Sequence, residues 1–403
     1  MQLSDLTHPS TRPQALSARG RVIMLALSAA IALLLAAWPA AAHAAGPTWT
    51  QQSAPGPAGS GFQSISCTGP TSCTAVGALT SGTHLHAFVD TETGGAWHRV
   101  TVPLPAATSE LTSVSCPTST FCAAVGLHGG AAPRPFTEIF RSGTWKVVTP
   151  ARLAGVSGAE LDGVSCASAS RCVAVGSWWP PSGHSGMLSE AYSSHGWTLI
   201  KTPAVSGWAT LSGVSCLPAT VPALCTAVGN RTTTSATTPL VAHLDGTTWT
   251  TIHVPTVSSS SDVALDAISC PQPTSCVAVG SELKGSKFHG ISEVEDSLHW
   301  RLVTGATITG AGGSDSLNGV SCPLSIQSCR AVGSVGTAGT LTVAEAWNGT
   351  SWHQQPSATP PSDLAELMAV SCVTVHTDGV ACNAGGEYQN TPMGGSHPLA
   401  ERN

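Results

Sequence analysis

Short runs in which apolar and polar positions alternate recur along the whole chain. One stretch shows the pattern clearly: Leu161-Asp162-Gly163-Val164-Ser165-Cys166, followed after five residues by Cys172-Val173-Ala174-Val175-Gly176. Period-two alternation, rich in β-branched residues and bounded by turn formers, predicts two short strands joined by a tight turn. The same pattern occurs seven times. Val-Ser-Cys or Ile-Ser-Cys ends at Cys67, Cys116, Cys166, Cys216, Cys270, Cys322 and Cys372. A second cysteine follows each, at Cys73, Cys122, Cys172, Cys225, Cys276, Cys329 and Cys382, and these pairs use all 14 cysteines.

Two further landmarks keep step with the cysteines. Trp49, Trp97, Trp145, Trp197, Trp249, Trp300 and Trp352 each sit in a short alternating run after a turn, and a proline commonly follows, as at Pro55, Pro103, Pro203 and Pro255. Ala-Val-Gly after the second cysteine ends at Gly77, Gly126, Gly176, Gly229, Gly280 and Gly333, and becomes Ala384-Gly385-Gly386 in the last copy. One repeat therefore reads as four strands of about four to seven residues. Strand a is Leu-x-x-Val-Ser-Cys and strand b is Cys-x-Ala-Val-Gly. Strand c is the run before the glycine turn, such as Leu240 to Asp245, and strand d carries the tryptophan.

Four antiparallel strands in a unit of about 50 residues match a propeller blade. The chain ends on Pro398 to Asn403, which has the form of strand c. It opens, after residue 45, on Gly46-Pro47-Thr48-Trp49-Thr50, which has the form of strand d. The expectation is an all-β, seven-bladed β-propeller with four antiparallel strands per blade, its last blade closed by the N-terminal strand. Paired cysteines at the two ends of a hairpin face each other closely enough for a disulfide. A metal site needs four ligands meeting at one point, and pairs spread around a ring cannot meet. Seven disulfides are expected, with no metal and no cofactor.

Composition adds a compartment. Arg12, Arg19 and Arg21 precede the apolar run Val22 to Ala37, and Ala42-His43-Ala44 has the form of a signal cleavage site. Residues 1–44 thus read as an export signal, and 45–403 as the propeller, a monomer without a membrane span once the signal is cut. Three arginines and Asp5 leave with the leader, so 16 basic and 22 acidic residues become 13 and 21, a formal charge of −8. With no basic block, nucleic acid is not an expected partner. The protein is expected outside a bacterial cell, free or at its surface.

The Gly-x-Thr-Trp turn, as in Asp245-Gly246-Thr247-Thr248-Trp249 and Asn348-Gly349-Thr350-Ser351-Trp352, and the Val…Ala-Val-Gly frame resemble the Asp-box (bacterial neuraminidase repeat) propellers, especially their photosystem II assembly-factor-like branch. The Val-Ser-Cys…Cys-x-Ala-Val-Gly form is similar to repeats of secreted actinobacterial proteins. Sialidases share the repeat. The resemblance would then imply an arginine triad and a tyrosine nucleophile, but only Tyr192 and Tyr388 are present. Arginines such as Arg99, Arg171 and Arg330 fall at unrelated repeat positions.

In such propellers strand a lines the central channel. The residue after the leading Leu or Phe would form a ring there: Gln63, Thr112, Asp162, Ser212, Asp266, Asn318 and Met368. Asp162, Asp266 and Asn318 are candidate ligand contacts. Trp178 and Trp179, assigned to a b–c loop, and Trp208, assigned to a d–a loop, lie outside the repeating tryptophan series and offer flat faces for sugar rings or a peptide. No nucleotide, nucleophile-elbow or His-Glu-x-x-His motif occurs. The expected function is a disulfide-stabilised binding module for an extracellular polysaccharide or a protein surface, with no catalytic residue assigned. The alternative is a glycan hydrolase or lyase using Asp162 and Asp266 at the channel mouth.

Overall fold

The computed structural model describes residues 48–403, apart from 106–107, 219–223, 256–261, 298, 306–313, 337–340, 359, 361–363, 376–378 and 390–394. The proposed leader lies outside the described residues. Those described form seven antiparallel four-stranded units and one short 3-10 helix, Ile326–Ser328. The innermost strands, strand a of units one to seven, are Ser60–Gly69, Ser109–Thr118, Gly158–Ser168, Trp208–Cys216, Asp262–Gln272, Ser314–Ser321 and Leu364–Val375. Unit seven takes its outer strand from the other end of the chain: Thr50–Gln52 pairs with Ala400 to Arg402. Units four and five share one additional parallel pairing, Thr237 with Asp262. The inner strands run longer than expected, up to 12 residues in Leu364–Val375, because the ladder continues beyond the repeat motif at both ends.

The core lies between units rather than within them. Each unit is a single sheet, so it buries its apolar face only against a neighbour. Val173, Val175 and Met187 of unit three pack with Leu211, Ala227, Leu244 and Trp249 of unit four. Phe62, Ile65, Phe88 and Trp97 of unit one pack with Ala400 of unit seven. Six of the seven repeating tryptophans are buried in these seams. Trp249 and Trp352 also donate an indole N–H to Ser189 and Ser292 of the preceding unit, at 3.0 and 2.9 Å. This is a β-propeller, all β among the described residues but for one helical turn.

The repeat motif has three physical explanations. First, every cysteine pair is bonded: Cys67–Cys73, Cys116–Cys122, Cys166–Cys172, Cys216–Cys225, Cys270–Cys276, Cys322–Cys329 and Cys372–Cys382. Such bonds persist in an oxidising compartment. Second, the serine of Val-Ser-Cys links units. Each first-cysteine N–H donates to the serine hydroxyl of the preceding unit: Cys116 to Ser66, Cys166 to Ser115, Cys216 to Ser165, Cys270 to Ser215, Cys322 to Ser269 and Cys372 to Ser321. Cys67 to Ser371, at 2.9 Å, completes the circle. Third, each strand a carries a one-residue bulge opposite strand b. The carbonyl just before the leading Leu or Phe then presses on the glycine of Ala-Val-Gly. A Cβ on Gly77, Gly126, Gly176, Gly229, Gly280, Gly333 or Gly386 would lie under 3.0 Å from it.

Candidate functional site

The bulge residues are Gln63, Thr112, Asp162, Ser212, Asp266, Asn318 and Met368. A bulge leaves its extra residue out of the ladder and re-aims its side chain. Here all seven line one central cavity of about 180 Å³. Farther along strand a, Ile65, Val164, Val214, Ile268, Val320 and Val370 also line it, so the polar ring stands above an aliphatic collar. Two ring members are spent on structure. Thr112 Oγ1 donates to the Leu161 carbonyl of the next unit at 2.7 Å, and Asn318 Nδ2 donates to that of Leu367 at 3.0 Å.

Asp162 and Asp266 differ from them, because an ionised carboxylate can only accept. Asp162 Oδ2 is buried and has no hydrogen-bond partner among the described residues. Burial, reinforced by the charges of Glu160 and Glu110, raises the Asp162 pKa well above the usual carboxylate range. Burial pushes Asp266 up to about 6. Charge coupling therefore joins Asp162 to Glu110 and Glu160. The raised pKa of Asp266 has burial as its cause, with no charge coupling to Asp162.

The surrounding carboxylates were overlooked in the sequence, although lining up the repeats would have found them. Glu110, Glu160 and Glu366 each stand just before the leading Leu of strand a. Ser177 donates to Glu160 Oε1 at 3.2 Å, and Ser396 donates to Glu387 Oε1 at 3.1 Å. A second cavity, about 340 Å³, adjoins the first at Gln63 and is lined by Glu110, Glu387, Gln389 and Ser396.

The three tryptophans are placed differently from expectation. Trp178 and Trp179 end strand b of unit three, Arg171–Trp179, rather than standing in a loop. The ladder reaches them because glycine faces each one: Trp178 pairs with Gly186, and Trp179 with Gly158. The rings cover those glycines, and both side chains are half-buried. Trp208 begins strand a of unit four and remains 42% exposed. His184 meets it edge-on, with ring centroids 4.2 Å apart. Ala209 N donates to the Ser185 carbonyl at 3.3 Å and ties these two segments together.

Among the described residues, no group of three or more His, Cys, Asp or Glu side chains is arranged to hold a metal ion. None of their helices is long and apolar enough to cross a membrane. No family model and no curated protein matches the chain. Solved structures do resemble it. A six-bladed β-propeller lectin of Aleuria aurantia with a fucose recognition mode is 11% identical, with 79% of this chain and 88% of the lectin covered and a TM-score of 0.40. The same lectin in complex with Fucα1-6GlcNAc is 10% identical, with 85% and 96% covered and a TM-score of 0.44. Sqt1 of Chaetomium thermophilum, bound to the N-terminus of a ribosomal protein, is 11% identical, with 82% and 83% covered and a TM-score of 0.48.

Proposed function

We propose that residues 45–403 form a seven-bladed β-propeller, released from a 1–44 leader, that works outside the cell as a monomeric binding module for an extracellular polysaccharide or a protein surface. The blade count is supported by seven four-stranded units, seven inter-unit cores and the seven-membered Ser–Cys hydrogen-bond circle. The Asp-box character is supported by unit six, where Asn348 Oδ1 accepts from the Thr350 and Ser351 amides at 2.8 and 2.9 Å.

The observation that carries the binding reading is Trp208. A large indole left 42% exposed is held in place by His184, with the half-buried Trp178 and Trp179 at the end of the neighbouring blade. A rigid aromatic face stacks on sugar rings or on peptide at low entropic cost. Asp162, Asp266 and Asn318, which line the central cavity, are the candidate polar contacts there. Nothing favours the hydrolase alternative. The cavity holding Asp162 and Asp266, about 180 Å³, is below the roughly 300–1,000 Å³ usual for ligand pockets.

Tryptophan fluorescence of the oxidised protein, titrated with cell-wall and extracellular polysaccharides, tests the proposal. Saturable binding that weakens at least tenfold in Trp208→Ala, without ligand breakdown, is the expected result. Ligand breakdown that disappears in Asp162→Asn would replace the binding module with an enzyme.

A further inference from the structure

We infer that the channel cavity is a receptor for a small primary ammonium group, such as a lysine side chain or an alkylamine, seated on Asp162. The cavity wall carries two carboxylates, Asp162 and Asp266, and no Lys, Arg or His. Glu110 and Glu160 add their charges close to Asp162. So much negative charge without a counter-ion is costly unless it is protonated or matched by a cation. The second observation is independent of charge: Asp162 Oδ2 is a buried acceptor with no donor. Native structures rarely leave such an atom unpaired, and a ligand N–H is one way to satisfy it.

Size and lining narrow the chemistry. About 180 Å³ admits a head group and a few methylenes rather than a sugar chain. An ammonium brings three N–H donors, and the collar of Ile65, Val164, Val214, Ile268, Val320 and Val370 suits an alkyl stem. A directly coordinated metal ion needs converging ligands, which the described residues do not supply. The resting carboxyls are protonated more readily than usual, so cation binding displaces protons and tightens as pH rises.

The test is calorimetric titration of the oxidised protein with n-butylammonium and with 1-butanol, its neutral counterpart, at low salt. The expected result is saturable binding of the amine and none of the alcohol. Asp162→Asn, whose fold is checked by circular dichroism, should bind at least tenfold more weakly. Glu160→Gln should give a smaller loss, and Trp208→Ala should bind the amine normally, which separates this site from the proposed glycan surface. The inference is overturned if the amine does not saturate, if the alcohol binds equally well, or if folded Asp162→Asn and Glu160→Gln retain full affinity. Calcium binding in place of the amine would also overturn it.

Discussion

Units three and seven solve a problem that units two and five leave open. In six of the seven units strand c carries a carboxylate opposite the alanine of Ala-Val-Gly: Asp90, Glu138, Glu190, Glu293, Glu345 and Glu401, all at most 1% exposed. Glu190 accepts from the Ala151 amide at 2.9 Å, and Glu401 from the Ala358 amide and the Ser357 hydroxyl. Each amide lies six residues beyond the strand-d tryptophan of the preceding unit, Trp145 or Trp352. For Glu138 and Glu293 that position is Pro103 or Pro255, which has no N–H. Neither carboxyl has a partner among the described residues.

The two remaining proline units avoid the difficulty. Unit one, served by Pro55, has the shorter Asp90 paired with Arg99 of its own sheet. Unit four, served by Pro203, has Ala242 instead of an acid. Of the four units served by a proline, one re-pairs its acid, one has alanine in its place, and two keep it without a partner among the described residues. The electrostatics agree. Burial raises Glu138 and Glu293 to about 8, whereas the Ala151 amide holds Glu190 to about 7.

The largest expected effect is on the pH dependence of stability. Glu138 and Glu293 keep their protons up to about pH 8 in the folded protein, against an ordinary glutamate value of 4.5. Between those values the folded state binds more protons, so stability present at acid pH is lost as pH rises through 8. Each group contributes up to about 5 kcal/mol. Denaturant unfolding at pH 5 and pH 9 should show a marked loss, and Glu138→Gln/Glu293→Gln should flatten it. An unchanged slope would mean that these carboxyls are ionised and paired.

Next in size is Ala242→Glu, which recreates the unpartnered acid in unit four. It should cost about 2–4 kcal/mol at pH 8 and less at pH 5, by the same unfolding assay. Ala151→Pro converts unit three to the type of unit two. Carbon-13 titration should move Glu190 from about 7 toward the about 8 of Glu138, with a stability loss of roughly 1–2 kcal/mol. The smallest effect belongs to Pro103→Ala. The amide it supplies should lower the Glu138 pKa by about one unit, while the loss of proline rigidity offsets much of the roughly 1 kcal/mol gained.

Much of the architecture was legible because it is local. Cysteine pairs a few residues apart, glycine turns and alternation all report on a single hairpin. Even the strand that closes unit seven could be read from Trp49, because the repeat left one strand unmatched at each end. What stayed hidden depends on groups about one repeat apart. Ser165 looks like an ordinary strand residue until its partner, the Cys216 amide of the next unit, is in place. The bulge at Asp162 is hidden because an extra residue repeated in every unit leaves the period unchanged. The ring residues were nevertheless identified, since their place after the leading Leu does not depend on the bulge. Trp178 and Trp179, expected in a loop, extend the strand instead, because Pro180-Pro181 ends it only after them and Gly158 and Gly186 leave space for both rings.

The short reach of each disulfide also governs how the chain matures. Every bond closes a segment of only 6–10 residues, whereas the nearest wrong partner lies about a repeat away. Closing a loop of about 50 residues rather than six costs about 2 kcal/mol more in chain entropy, so each cysteine finds its proper mate first. Oxidation can proceed unit by unit as the polypeptide emerges, with little need to reshuffle mismatched bonds. The meeting of Thr50–Gln52 with the C-terminal strand is different. It joins the first described strand to the last, so that pairing forms only once His397–Arg402 has emerged.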